Sequence, residues 1–206
     1  NGAFTSPILC VWQTTPRPLF LEQMLKNGSD VNYADRNGNT LLMYASGYEP
    51  QKYGFLPGKG NYSSADYAKL FLRYDADVSQ QNKEGWTALD YAVQLDDDMA
   101  AMNLLLSYGA EVTPVVLSHA LDFEGAYTHY QRIHKLVALL DSSQTSTILT
   151  PIFDAAIRGD NATVQELATK TDLSEAERLQ TLCHAVAFCN ADTVRLLLAD
   201  GFGTIQ

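Results

Sequence analysis

Laid against itself, the 206-residue chain repeats. Residues 25–42, LKNGSDVNYADRNGNTLL, and residues 72–89, LRYDADVSQQNKEGWTAL, carry small, acidic and apolar types at matching places, an offset of 47. A third copy opens at Leu106 as LSYGAEVTP, 34 residues beyond Leu72, and a fourth ends the chain as LADGFG from Leu198. Such a period constrains the fold more than any single residue does, because one short unit cannot bury its own apolar stripe and must stack on its neighbours.

Local chemistry places helices inside each unit. Thr40, Thr87 and Thr150 stand where a hydroxyl can cap a first helix, and Pro151 suits a first helical turn. Second helices show apolar spacings of three and four at Ala68, Phe71 and Leu72, at Met102, Leu105 and Leu106, and at Val194, Leu197 and Leu198. Gly28, Gly109 and Gly201 follow them as stops that tolerate left-handed backbone.

These motifs resemble the ankyrin repeat, in which GxTPLHxAA is followed by a helix ending in LLL and then GADVN. Here the pattern reads GNTLLMYAS from Gly38, GWTALDYAV from Gly85, TPIFDAAIRGD from Thr150 and NADTVRLLLADG from Asn190, with a weaker SPILCVW and FLEQMLKNG near the start. The resemblance implies an all-α, curved solenoid of helix-turn-helix units with short β-turn or hairpin fingers, about five or six repeats in one domain over residues 1–206. The expected repeats are 1–36, 37–83 with an inserted loop at 47–64, 84–113, a divergent 114–148, 149–176 and 177–206. In place of the family's His stand Met43, Asp90 and Phe153, which weakens the usual bond to the Thr. Residues 114–140 lack the turn signature, and residues 172–188 read as one extended helix after an SEAE start, with Glu175 and Glu177 at its positive end.

Charge and composition limit the partners. A net charge of -10 opposes nucleic-acid phosphates and anionic membrane surfaces, and no apolar run approaches the ~20 residues that span a bilayer. An acidic field favours a basic protein partner and keeps copies of the chain apart, so a monomer is expected. Cys10, Cys183 and Cys189 are too few and too scattered for a disulfide framework and read as buried small hydrophobes. Asn27, Asn61 and Asn161 each open an Asn-x-Ser/Thr triplet, which matters only in a secreted setting. Beginning at Asn1, and with Phe4 and Ile205 in interrupted motifs, the chain reads as a cut or processed form in which further repeats flank this piece or those edge residues are exposed. Nothing in it fixes a compartment.

No constellation for catalysis, metal or cofactor survives inspection, so neither an enzyme nor a cofactor is expected. GFLPGKG at 54–60 lacks the magnesium-binding hydroxyl of a phosphate loop. Cys183 and His184 point about 100° apart on a helix, with only Cys189 nearby, and His129 and His134 point roughly 140° apart. Ser118, His119 and Asp122 lack the arrangement of a nucleophilic triad, and the run Asp96–Asp98 suits helix capping.

The resemblance implies that a protein partner binds the groove made by turn tips and first helices. Matching positions are Tyr33, Arg36 and Asn39, then Gln81, Lys83 and Trp86, at the tips, with Tyr44 and Tyr91 on the first helices. Trp86 ranks first, since aromatic anchors dominate interface energetics; the alternative is that it covers the preceding tip while Tyr44 and Tyr91 stack together. The inserted loop adds Tyr48, Tyr53, Phe55 and Tyr62, as partner contacts or as cover for helix ends. The expected function is a non-enzymatic interaction scaffold; the alternatives are a regulatory or accessory domain of a larger enzyme, or a bacterial effector.

Overall fold

Prolines and hydroxyl residues set the helix starts. The computed structural model describes residues 6–14, 16–47, 62–95, 99–121, 130–146, 148–170, 173–187 and 191–202, and divides into two units, Asn1–Glu111 and Val112–Gln206. The first holds α1 (Pro7–Thr14), α2 (Pro18–Lys26), α3 (Leu41–Ser46), α4 (Ser64–Leu72), α5 (Ala88–Leu95) and α6 (Ala100–Ser107). The second holds α7 (Pro114–Leu121), α8 (Tyr130–Leu139), α9 (Ser142–Thr145), α10 (Pro151–Arg158), α11 (Asn161–Lys170), α12 (Glu175–Ala187) and α13 (Ala191–Ala199). Among the described residues there is no strand.

In the first unit α3 packs on α4, α5 on α6, α3 on α5 and α4 on α6, so two helical hairpins lie side by side; α2 packs on α4. Their shared core takes Leu41 and Leu42 from α3, Tyr67, Ala68 and Phe71 from α4, Leu89 and Val93 from α5, and Met102 and Leu105 from α6, all buried. Each large apolar side chain buried this way contributes roughly 1.5–3 kcal/mol relative to exposure. Trp12 of α1 meets Tyr67 edge-on at 5.0 Å and Phe71 at 5.7 Å, and the Tyr67 hydroxyl donates to the Pro16 carbonyl, fastening the α1–α2 link to α4. Burial pushes the Tyr67 phenol up to about 12, aided by the fields of Tyr62 and Asp66.

The second unit repeats the scheme: α10 packs on α11, α12 on α13, α10 on α12 and α11 on α13, with α8 against α7 and α10. Ile152, Ala155, Ala156, Val164, Ala185, Leu197 and Phe202 form its buried cluster. Asp154, nearly buried, accepts from the Arg158 Nε at 3.0 and 2.9 Å and from the Thr145 hydroxyl at 2.8 Å, while an Arg158 terminal nitrogen donates to the Leu140 carbonyl at 2.9 Å. The Asp154–Arg158 pair thus ties Leu140, just after α8, and Thr145 of α9 to α10.

Several local expectations need correction. Cys10 and Cys183 are exposed, not buried: each sits on the solvent side of its helix, while Ile8, Leu9 and Ala185 take the core side. Leu198 is exposed at 53%, because Leu197 faces the core in its place. Thr150 makes no capping bond through its side chain, although its backbone is extended as a cap residue's is. At Thr87, Asp90 accepts from the Thr87 N–H and from its hydroxyl, both at 2.7 Å. Thr40 caps as expected, accepting from the Met43 N–H at 3.3 Å, and the Met43 sulfur accepts from the Thr40 N–H at 3.5 Å. The residues taking the place of the family's His in these two helices therefore bond back to the Thr of their own helix start. Gly28, Gly109 and Gly201 have φ of +88°, +87° and +81°, the left-handed stops their positions require. The expectations for Phe4, Tyr48, Tyr53, Phe55, residues 54–60, Asp96–Asp98, Asp122, His129, Cys189 and Ile205 lie outside the described residues.

Candidate functional site

The two tips of the first unit, residues 27–40 and 73–87, are built on one hydrogen-bond plan. At the first, Asp35 Oδ1 accepts from the N–H groups of Asn37 and Asn39, both at 2.8 Å, and Oδ2 accepts from the Tyr44 hydroxyl at 2.6 Å. At the second, Asn82 Oδ1 accepts from the N–H groups of Glu84 and Trp86, both at 2.9 Å, and Nδ2 donates to the Tyr91 hydroxyl at 3.1 Å. Asp35 and Asn82 stand 47 residues apart, the repeat offset, so equivalent side chains fold each tip and moor it to its own first helix. In each tip the backbone also closes, Asp35 N–H to Asn39 carbonyl and Asn82 N–H to Trp86 carbonyl, at 2.9 Å.

Five hydrogen bonds join the first tip to the second tip and its helix. Asn82 Nδ2 donates to Asn39 Oδ1 at 2.8 Å, and the Tyr91 hydroxyl donates to the same oxygen at 3.1 Å. The Lys83 N–H donates to the Asn37 carbonyl at 2.9 Å. Asn32 faces the second tip with both ends of its amide, donating to the Asp75 carbonyl at 3.1 Å and accepting from the Asp77 N–H at 2.8 Å. Gly38 permits the close approach: a Cβ there would fall 2.9 Å from the Asn82 Cα and 3.0 Å from the Lys83 nitrogen.

Electrostatics follow from this placement. The Tyr44 phenol is pushed up to about 12 by burial and by its bond to Asp35. Burial raises the Tyr91 phenol too, with Glu84 adding to it. Asp77 is held below the usual carboxylate range because the Ser79 hydroxyl and N–H both donate to it. Both tyrosines are therefore neutral donors at neutral pH.

Among the residues singled out from the sequence, Asn39, Trp86 and Tyr91 come together: the Trp86 ring lies 5.2 Å from that of Tyr91, inclined at 59°. Tyr44 joins them through Asp35. Arg36 and Lys83 are exposed on adjoining tips, Gln81 is exposed, and Tyr33 is half-buried. Tyr62 is not part of this group; it is exposed at 41% and meets Tyr67 at 5.9 Å, beside the aromatic cluster of α1 and α4. Sequence reasoning missed Asp35, Asn82 and Asn32, although an Asp or Asn three residues before each tip Gly is the signal of a side chain that bonds backbone ahead of it.

Among the described residues, no group of three or more His, Cys, Asp or Glu could hold a metal ion, and no helix is long and apolar enough to cross a membrane.

Comparison with known proteins agrees with this architecture. Residues 14–115 match the family described as ankyrin repeats, three copies. The human ASB11 ankyrin repeat domain superposes with a TM-score of 0.54 at 20% identity, covering 98% of this chain and 85% of that one. One chain of the complex of Bd0816 predatory endopeptidase from Bdellovibrio bacteriovorus with immunity protein Bd3460 gives a TM-score of 0.49 at 20% identity, covering 95% of this chain and 98% of that one. No curated protein sequence matches the chain. Stacked helical hairpins, tips with left-handed glycines and the family match give one answer: over residues 14–115 the chain belongs to the ankyrin-repeat family.

Proposed function

We propose that this chain is a non-enzymatic scaffold that holds a protein partner against the groove flanked by the tips and first helices of residues 1–111. Ankyrin repeats are in general protein-interaction modules. The observation that carries the reading is how the tips spend their polar groups. Asp35, Asn39, Asn82, Tyr44 and Tyr91 bond inward or to each other, which fixes the backbone. Arg36, Gln81 and Lys83 remain exposed and Trp86 half-exposed, on a base that loses little freedom when a partner arrives. Tyr33 and Tyr62, with Tyr53 and Phe55 of the inserted loop, extend the proposed contact surface. The net charge of -10 favours a partner that is basic overall, through steering of the encounter.

Trp86→Ala tests the reading. The Trp86 backbone bonds to Asn82 survive that change, so the loss of stability should stay near the ~1 kcal/mol of an aromatic pair plus modest burial. Capture of the native partner from the source cell should fall by tenfold or more. Unaltered capture, or a stability loss above about 3 kcal/mol in urea, would move Trp86 from binding to packing.

A further inference from the structure

Arg36 and Lys83 occupy the same place in consecutive tips, one repeat offset apart, and both are exposed. Their backbones adjoin, since the carbonyl that accepts the Lys83 N–H belongs to Asn37, the residue after Arg36. Among the described residues neither side chain has an ion-pair partner, although the chain holds 24 Asp and Glu against 14 Lys and Arg. Four nearby acids are committed elsewhere. Asp35 accepts from two tip N–H groups and Tyr44, Asp30 from the Asn32 N–H, Asp77 from Ser79, and buried Asp90 from Thr87. Glu84, exposed beside Lys83, pairs with neither cation.

We propose that Arg36 and Lys83 form a carboxylate-binding pair that seats an Asp or Glu side chain of the protein partner. The guanidinium offers two parallel donors to a carboxylate and the ammonium a compact third charge, so one anion on the adjoining tips satisfies both. The rigid tips fix where the two cations start, and the Trp86–Tyr91 pair beside them supplies apolar contact for the rest of the segment. The inference rests on the interface reading above but differs from it in sign. Long-range attraction selects a basic protein, whereas this local pair fixes its register through an acidic residue.

The test is a titration of the full chain with an end-blocked peptide of alternating Gly and Glu, followed by amide NMR at low salt. Saturable shifts should concentrate at residues 33–39 and 80–86. R36Q/K83Q should weaken binding roughly tenfold or more, while K69Q/R195Q, the same charge change on α4 and α13 away from the tips, should leave it unchanged. Shifts that are absent, or equally strong in R36Q/K83Q, would overturn the pair. A native partner held equally by wild type and R36Q/K83Q but lost on Trp86→Ala would remove this inference and leave the scaffold reading standing.

Discussion

Gly38 and Gly85 take the same place in successive tips, with φ of +85° and +82°, yet they face different surroundings. A Cβ at residue 85 meets nothing within 4 Å, whereas one at residue 38 runs into the backbone of Asn82 and Lys83. Gly85→Ala should therefore cost only the left-handed strain, roughly 1–2 kcal/mol, and Gly38→Ala that strain plus roughly 1–3 kcal/mol of overlap. Urea unfolding of both variants checks the difference, and equal losses would show that the tips can move apart freely. Asn82 carries more than either glycine because one buried amide folds its own tip and reaches the preceding one. Asn82→Asp keeps the acceptor but loses the donor to Asn39 and Tyr91; it should cost about 1–2 kcal/mol, and Asn82→Ala more.

At the scale of elements, the parts legible in the sequence are those specified by neighbours in the chain. GNTLLMYAS and GWTALDYAV announce a left-handed glycine, a capped start and a short apolar helix, and α3 and α5 follow. Even Asp75, left-handed at φ +62°, stands at the position held by Gly28 and Gly109 in the aligned copies. What the sequence hid depends on pairs brought together by stacking, Asn39 with Asn82 and Asn32 with Asp77, and on the bonds of Asp90 to Thr87, which replace the family's His by different chemistry. The network of Asp154, Arg158, Thr145 and Leu140 was hidden for the same reason, since residues 114–149 carry no tip signature and α9 is too short to show a period. Arg158→Ala leaves the Asp154 carboxylate, about 10% exposed, with only Thr145 to stabilise its charge. A buried pair broken from one side costs 3–5 kcal/mol; with Arg158 about a quarter exposed, roughly 2 kcal/mol is expected here. Adding Asp154→Asn should restore part of it, and a double-mutant cycle that proved strictly additive would count against the network.

For the molecule as a whole, stability should form a plateau in pH bounded by two different chemistries. On the acid side, Asp77, Asp141 and Asp160 are held below their ordinary 3.8, first by the hydroxyls of Ser79, Ser143 and Thr163 and then by backbone N–H groups. As pH falls past that value the unfolded chain takes up protons before the folded one, so their contribution, complete above 3.8, drains away through the depressed values. On the alkaline side the sign reverses. Burial raises the phenols of Tyr44 and Tyr67 from 10 to about 12, so above pH 10 the unfolded chain loses protons that the folded chain retains, and stability falls until the folded phenols ionise. The sequence pI near 4.7 lies inside this plateau, where solubility rather than stability is lowest. Urea midpoints should hold level with respect to these groups between the two limbs. Asp77→Asn and Asp160→Asn should flatten the acid limb, and Tyr44→Phe and Tyr67→Phe the alkaline one, with tyrosinate absorbance reporting late ionisation in the wild type. An alkaline limb unchanged in both Phe variants would mean that the hydroxyl bonds to Asp35 and Pro16 open before the fold does.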